Sequence, residues 1–347
     1  YSQIVHRELH WHRFPPTHSS KKMAKPKAVL INAFRLDFNS NQPLDLQKLE
    51  ALVDVARFDS DATPDEIVER SQGQEILITK EIPVPAEAIK KLPDSVRLIC
   101  EAGTGFNNIA LDAARERGIT VCNCPAYSTD AVAQLVVTFM LNFSCSLVPQ
   151  QRMLWEGKRD NFTKALQLPH FELAGKTLGL IAGSGAIGSK VADLAKLMGM
   201  TVLISSRKPE AAKRADGVEV TTIEELLARS DFVSIHCPLT PDTRHLINAE
   251  TLKKMKSTAF LINTARGPII NEGELIEALK AGTIAGAGLD VQDVEPPPED
   301  SPLYSLPNVI LTPHIGWKRF ETRQRLMNLV AENISAYTKG SVTNIVN

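Results

Sequence analysis

An arginine, two acids and a histidine stand where strand-like runs of this sequence stop. Arg266 follows "AFLINTA", Asp290 closes "AGAGLD", Glu295 lies in "QDVEPPP" and His314 follows "NVILTP". A guanidinium is a planar, permanently charged fork for a carboxylate or a developing oxyanion. An imidazole moves protons near neutral pH, and a carboxylate beside it favours the protonated form. Such a set suits work on an anionic carbonyl compound, which needs a fixed cation and a proton donor. In an open parallel sheet ligands bind beyond the carboxyl ends of the strands. Arg266, Asp290 and His314 are therefore expected to share one crevice, with Glu295 held against His314 by the prolines that follow it.

The missing reactant is indicated by "LGLIAGSGAIGSKVADLAKLMGM", where Gly183, Gly185 and Gly188 stand between a strand pattern and a helix pattern. A glycine motif in that setting provides a tight turn, room for a pyrophosphate against the backbone, and close strand–helix packing. Ala186 and Ile187 open the helix, whose unpaired N–H groups face the phosphates. With a dinucleotide in place, the four side chains fit reduction of a 2-keto acid: hydride from a nicotinamide, proton from His314, Arg266 on the carboxylate and keto oxygen. The following strand ends in Ser205, Ser206, Arg207 and Lys208 rather than in the acid that usually holds the ribose hydroxyls. Nothing there repels a 2′-phosphate, and Arg207 can pair with one through bonds worth roughly 1.5–3 kcal/mol each. NADP is expected in preference to NAD.

The elements needed to position these residues are legible as β-rich runs alternating with helical patterns, the signature of α/β architecture with parallel sheets. Before residue 126, "AVLINAF", "EILIT", "VRLIC" and "ITVCN" read as strands, and "LDLQKLEALVDV", "PAEAIKKL" and "LDAARERG" as helices. An apolar-periodic helix spans 129–147. After Gly175 the strands are "TLGLIA", "TVLISS", "VEVT", "DFVSIHC", "AFLINTA", "AGAGLDV" and "NVILTP". Near-continuous apolar runs such as "NVILTP" are those of strands covered on both faces. A last helix, about 320–338, is expected to return to the first half of the chain.

Composition limits the alternatives. The chain has 347 residues, 43% hydrophobic and 23% charged, with a net charge of −1. That is ordinary globular material for two domains, with no basic excess to attract nucleic acid or anionic membrane. The longest apolar run, 135–147, is too short to span a bilayer. Five scattered cysteines read as reduced thiols of a cytoplasmic protein. Cys122-Asn123-Cys124 has no second ligand pair, so no metal site is expected. Residues 1–22 are basic, histidine-rich and poor in acids, and read as a disordered leader with a possible organelle-targeting role.

At this point the sequence resembles the D-isomer-specific 2-hydroxyacid dehydrogenases. The likeness runs from about Lys27 to the C-terminus and is carried by "GSGAIG", "HCPLTPDTRHLIN", "INTARGPIINEGELIEAL", "AGAGLDVQDVEP" and "NVILTPHIGW". It implies that Arg266, Glu295 and His314 are catalytic and that Asp290 binds the nicotinamide carboxamide. It implies further cofactor contacts at Cys237, Pro238, Thr243, Thr264, Ala265 and Gly316. The substrate-carboxylate loop falls on "EAGTGFNN", chiefly Gly103 and Thr104. Lys80 in "ILITKEIPV", "STDAVAQL" and Trp317 of "HIGW" resemble the glycerate dehydrogenase and hydroxypyruvate (glyoxylate) reductase branch. Two features depart from the pattern: Ala182 is one residue more than usual between strand and glycines, and Gln292-Asp293 stands where an aromatic is common.

The expected architecture is two Rossmann-like domains with the active site between them. Residues 23–125 plus 314–347 form a flavodoxin-like substrate domain, and residues 126–313 the dinucleotide domain. The resemblance also implies a homodimer. Two rivals stand beside this reading. Formate dehydrogenase shares the fold but pairs its histidine with glutamine, against Glu295. A dinucleotide-sensing corepressor-like scaffold would retain the same residues and turn over no keto acid.

Overall fold

The computed structural model describes residues 24–37, 41–164, 168–206 and 217–347. The leader expected at 1–22, Met23, and the positions of Arg207 and Lys208 lie outside the described residues.

The first half alternates strands and helices in the order β1 (Lys27–Leu30), α1 (Gln47–Leu52), β2 (Asp54–Arg57), α2 (Pro64–Arg70) and β3 (Ile76–Thr79). It continues with α3 (Ala86–Lys91), β4 (Leu98–Glu101), α4 (Leu111–Glu116) and β5 (Thr120–Cys122). All five strands are parallel, ordered β2-β1-β3-β4-β5, the doubly wound order in which ligands collect where the direction of winding reverses. β3 and β4 are buried along their whole length, as expected of apolar strands covered on both faces, with polar Thr79 and Glu101 only at their carboxyl ends. One expectation is corrected here. "LDLQKLEALVDV" is not a single helix: α1 ends at Leu52, and Asp54–Arg57 is the edge strand β2.

Three helices follow: α5 (Thr129–Cys145), α6 (Leu147–Trp155) and α7 (Asp160–Thr163). The apolar helix expected to reach residue 147 stops at Cys145, because Ser146 turns left-handed (φ +49°) and starts α6. No single helix among the described residues is long and apolar enough to cross a membrane; α5 and α6 together pass on length and composition but bend by 62°.

The second half runs β6 (Thr177–Ile181), α8 (Ala186–Leu197), β7 (Thr201–Ser205), β8 (Glu219–Thr221), α9 (Ile223–Arg229) and β9 (Phe232–Ile235). Then come α10 (Ala249–Lys253), β10 (Phe260–Asn263), α11 (Glu272–Lys280), β11 (Gly286–Leu289), β12 (Val309–Leu311) and α12 (Phe320–Thr338). These seven strands form a parallel sheet ordered β12-β11-β10-β9-β6-β7-β8, whose winding reverses between β6 and β9. Both faces are covered. Leu203, Val233 and Leu261 pack under α9 to α11 on one side; Leu180, Phe232 and Ile262 meet Phe139, Phe143 and Val191 of α5 and α8 on the other. Each such buried side chain contributes roughly 1.5–3 kcal/mol.

Helix α12 leaves the second sheet and packs on the first. Leu326, Met327, Val330 and Ile334 join Leu30, Ile76 and Cys100 in one core. The C-terminal residues then pair antiparallel with β5 through Asn344, Ile345 and Val346.

Candidate active site

Arg266, Asp290 and His314 follow the carboxyl ends of β10, β11 and β12, and local hydrogen bonds aim each one. At the end of β10, buried Asn263 accepts from Ala265 N (3.0 Å) and donates to Arg266 O (2.9 Å), folding the 264–266 turn. Arg266 leaves that turn toward the first sheet. Its Nη1 donates to Ala265 O (2.7 Å) and its Nε to Asn107 Oδ1 (3.2 Å).

At the end of β11, Asp290 is 2% exposed. Its Oδ1 accepts from Thr312 Oγ1 (2.6 Å) and Ile315 N (2.8 Å), and its Oδ2 from Gly316 N (2.9 Å). Burial raises the Asp290 carboxyl above its usual range, against the pull of those donors and of His314. The carboxylate thus latches the turn that carries His314, a job the sequence reading did not assign to it. Three of roughly four acceptor positions on the carboxylate are filled, which leaves room for one more donor.

His314 itself is left-handed (φ +50°), with its N–H bonded to Asp290 O at 2.9 Å. Its Nδ1 faces Glu295 Oε2 at 2.8 Å, while Glu295 Oε1 accepts from Gln292 N at 3.1 Å. With Nδ1–H donating to a doubly anchored carboxylate, Nε2 is the nitrogen left to carry a transferable proton. The side chain is 21% exposed, enough for a small molecule to reach it.

The glycine loop is shaped for a phosphate group. A Cβ on Gly188 would come within 2.5 Å of Gly183 O, and one on Gly183 within 2.5 Å of Leu180 Cβ, so the turn closes only with glycines there. At Gly185 nothing lies within 4 Å, leaving open space at the N-terminus of the twelve-residue α8. The extra residue is absorbed by Ala182, which adopts φ +57° and donates its N–H to Ser205 Oγ at 3.2 Å. These features fit a dinucleotide.

Two cavities share Cys237 and Pro238 as a common wall. The first, about 280 Å³, is lined by Lys80, Gly103, Thr104, Ile187, Thr264, Ala265, Arg266, Asp290, His314, Gly316 and Trp317. The second, about 730 Å³, holds Ser205, Ser206 and Thr243, the last fastened to Pro238 O at 2.7 Å, together with the carboxylates of Glu224 and Asp242. Glu295 reaches the first cavity only through His314. Burial raises the Cys237 thiol, which leaves it a packing residue rather than a nucleophile.

On the first-sheet side, Asn32 clamps the Lys80 backbone by two hydrogen bonds, of 2.6 Å to Lys80 O and 3.0 Å from Lys80 N. Lys80 is 1% exposed, and its Nζ sits 3.7 Å from the centre of the Trp317 ring. Burial works against its charge, yet Tyr127, Glu81 and Glu101 outweigh that and raise it. Trp317 Nε1 is buried with no hydrogen-bond partner among the described residues. Thr104 Oγ1 donates to Cys124 O (3.0 Å) and Thr104 O accepts from Asn123 Nδ2 (2.7 Å), which stiffens the 103–107 loop.

Sequence reasoning passed over Glu81, Tyr127 and His236, which line this cavity, and fully buried Glu101, which accepts from Glu81 N. Burial pushes the Glu101 carboxyl up to about 7 despite Lys80 and Asn108, and the Tyr127 phenol up to about 12. Burial lowers His236 to about 4, so it is a neutral wall beside Ser234 (3.0 Å). Glu81 and Glu101 border β3 and β4 at their carboxyl ends, a positional signal that was available. Among the described residues no cluster of three His, Cys, Asp or Glu side chains is placed to hold a metal ion.

Comparison with known proteins identifies the family. Residues 137–316 match the family described as D-isomer specific 2-hydroxyacid dehydrogenase, NAD binding domain. A glycerate dehydrogenase of Methylorubrum extorquens is 39% identical over 317 residues, covering 87% of this chain and 97% of that protein. A hydroxypyruvate reductase of Blautia hydrogenotrophica is 35% identical over 325 residues, covering 92% and 99%. The crystal structure of a glyoxylate reductase from Paecilomyes thermophila superposes with a TM-score of 0.80 at 31% identity, over 93% of this chain and 99% of that one. By that family match and these relatives, the chain belongs to the D-isomer-specific 2-hydroxyacid dehydrogenase family.

Proposed function

We propose that this protein is an NADPH-preferring reductase of small 2-keto acids, interconverting hydroxypyruvate with D-glycerate and glyoxylate with glycolate. What carries the reading is that Arg266 and His314, the latter paired with Glu295, open into one cavity beside the glycine loop. Bound nicotinamide dinucleotide supplies the hydride. Everything else falls to the chain. Arg266 grips the substrate carboxylate and polarises the keto oxygen; the backbone N–H groups of Gly103 and Thr104 support the same carboxylate. His314 gives its Nε2 proton to the developing alkoxide, while Glu295 fixes the ring and stabilises the imidazolium. Lys80 and Trp317 wall the pocket. Gly183, Gly185, Gly188 and the first turn of α8, Ala186 and Ile187, hold the pyrophosphate. Cys237, Pro238, Thr243, Thr264, Ala265 and Gly316 line its path, and the remaining acceptor position of Asp290 suits a carboxamide N–H.

Residues 23–125 with 314–347 act as the substrate-side unit and 126–313 as the dinucleotide unit, a division supported by the packing of α12 on the first sheet. Preference for NADP rests on Ser205, Ser206, Arg207 and Lys208, a run without a carboxylate. Five free cysteines, four of them buried, support a reducing compartment such as the cytosol.

The test is spectrophotometric: oxidation of NADPH and NADH with glyoxylate, hydroxypyruvate, pyruvate and phosphohydroxypyruvate. Turnover of the first two keto acids with higher kcat/KM on NADPH is the expected outcome. Cofactor binding with negligible turnover of any keto acid identifies a dinucleotide-sensing scaffold instead, and a higher kcat/KM with NADH reverses the cofactor assignment.

The partner we assign is a second copy of the chain. Along α5 to α7, Leu141, Leu147, Trp155 and Phe162 are 47%, 49%, 82% and 78% exposed, apolar surface that a second copy would cover. Sedimentation at micromolar concentration is expected to give a dimer, and Trp155→Glu to shift it toward monomer. A monomeric wild type overturns this assignment.

A further inference from the structure

Glu81 has no part in the roles above, yet it lines the cavity between Lys80 and His314. Following Lys80 at the end of β3, its Oε1 accepts from Lys80 Nζ at 2.6 Å and lies 3.8 Å from His314 Nε2. Among the described residues its Oε2 accepts no hydrogen bond, although the side chain is only 25% exposed. The residue is left-handed (φ +56°), an uncommon conformation away from glycine that recurs at functional sites. That turn is built deliberately from polar parts. Glu81 N donates to buried Glu101 Oε1 at 3.2 Å, and Glu101 Oε2 in turn accepts from Asn108 Nδ2 at 3.0 Å.

The result is a donor beside an acceptor: His314 Nε2–H and the Glu81 carboxylate. A 2-keto acid with a hydroxyl on C3 presents the complementary pair, a carbonyl oxygen and an O–H about one hydrogen-bond length apart. We propose that Glu81 is a specificity-determining residue whose carboxylate accepts the hydrogen bond of a C3 hydroxyl, so that the site selects 3-hydroxy-2-keto acids over 2-keto acids lacking that donor. The inference rests on the reductase reading above and names its preferred substrate class. An extra carboxylate facing an anionic substrate is tolerable here because two cations, Lys80 and Arg266, share the cavity. Burial opposes the charge on Glu81, but Lys80, His314 and Arg266 hold its carboxyl at about 2, so it remains an acceptor throughout the working pH range. A site that hydrogen-bonds a substrate hydroxyl penalises the analogue without it, because the buried acceptor is then left unpaired.

The experiment compares hydroxypyruvate with pyruvate, its analogue without the hydroxyl, in the full-length enzyme with saturating NADPH. Wild type is expected to favour hydroxypyruvate in kcat/KM by at least about 10-fold. In Glu81→Leu that ratio is expected to fall by about 10- to 100-fold, hydroxypyruvate losing the larger factor, and in Glu81→Gln, which keeps an acceptor but no charge, by less. NADPH affinity by fluorescence and the thermal midpoint report whether each variant is folded. Equal losses on both substrates make Glu81 a structural partner of Lys80 and overturn the proposal; so do equal gains, which make it a resident competitor for the substrate anion. A wild-type ratio near one overturns it without any variant. Absence of all keto-acid turnover in wild type is a different result and removes the reductase reading itself.

Discussion

His314→Asn is expected to lower kcat for keto-acid reduction by about 10²- to 10⁴-fold, the range over which a positioned general acid acts. Asparagine is the informative substitution because of the backbone. Residue 314 is left-handed (φ +50°), a conformation asparagine tolerates and alanine resists. The variant therefore keeps the turn, which is held from outside by Thr312, Ile315 and Gly316 bonding to Asp290. It also keeps the glycine loop, which His314 does not touch. NADPH affinity, read by fluorescence quenching, is accordingly expected to stay within about threefold of wild type, since no charge or packing near the phosphates changes. What disappears is the proton at Nε2 and the charge that Glu295 stabilises through Nδ1 at 2.8 Å. A kcat within about tenfold of wild type means that water or another group protonates the alkoxide, and the role assigned to His314 is then wrong.

Much of this site was legible because parallel strands buried on both faces must be apolar, so a polar residue at the end of one is conspicuous. "FLIN" before Arg266 and "VIL" before His314 are of this kind. β2 escaped notice because the same rule does not bind an edge strand. Asp54–Arg57 is paired on one side only and half exposed, so it carries no apolar run, and it follows α1 with only Val53 between them. The latching of the 314 turn by Asp290 went unread for another reason: two of its three partners are backbone N–H groups, which every residue but proline possesses and no sequence pattern announces. Glu81 and Glu101 were given no role from the sequence, where each is one acid among forty. Lys80 packs on Trp317 and Glu81 lies 3.8 Å from His314; both neighbours arrive from the far end of the chain, and a local reading cannot supply them.

Arg266→Lys is expected to be nearly as damaging as removal of the charge, and this separates a fork that reads a planar anion from a mere positive potential. The guanidinium is positioned on three sides. Nη1 is bonded to Ala265 O and Nε to Asn107 Oδ1, and Nη2 comes so close to the 103–107 loop that a Cβ at Gly105 would overlap it. A lysine ammonium has neither the planar fork nor the donors to keep these two contacts while gripping a carboxylate and a keto oxygen. Loss of one preorganised oxyanion donor lowers rates by about 10²- to 10³-fold, and Arg266→Gln should reach that range in kcat/KM. Because the same group binds the ground-state carboxylate and the developing alkoxide, both KM and kcat are expected to change, KM rising as kcat falls. Arg266→Lys should recover at most about tenfold of the deficit. Asn107→Ala, which frees Nε without removing the cation, should cost less than either. An Arg266→Lys enzyme with near-wild-type kcat/KM shows that only the net charge of the cavity matters; the planar geometry around Gly105 then has no catalytic meaning.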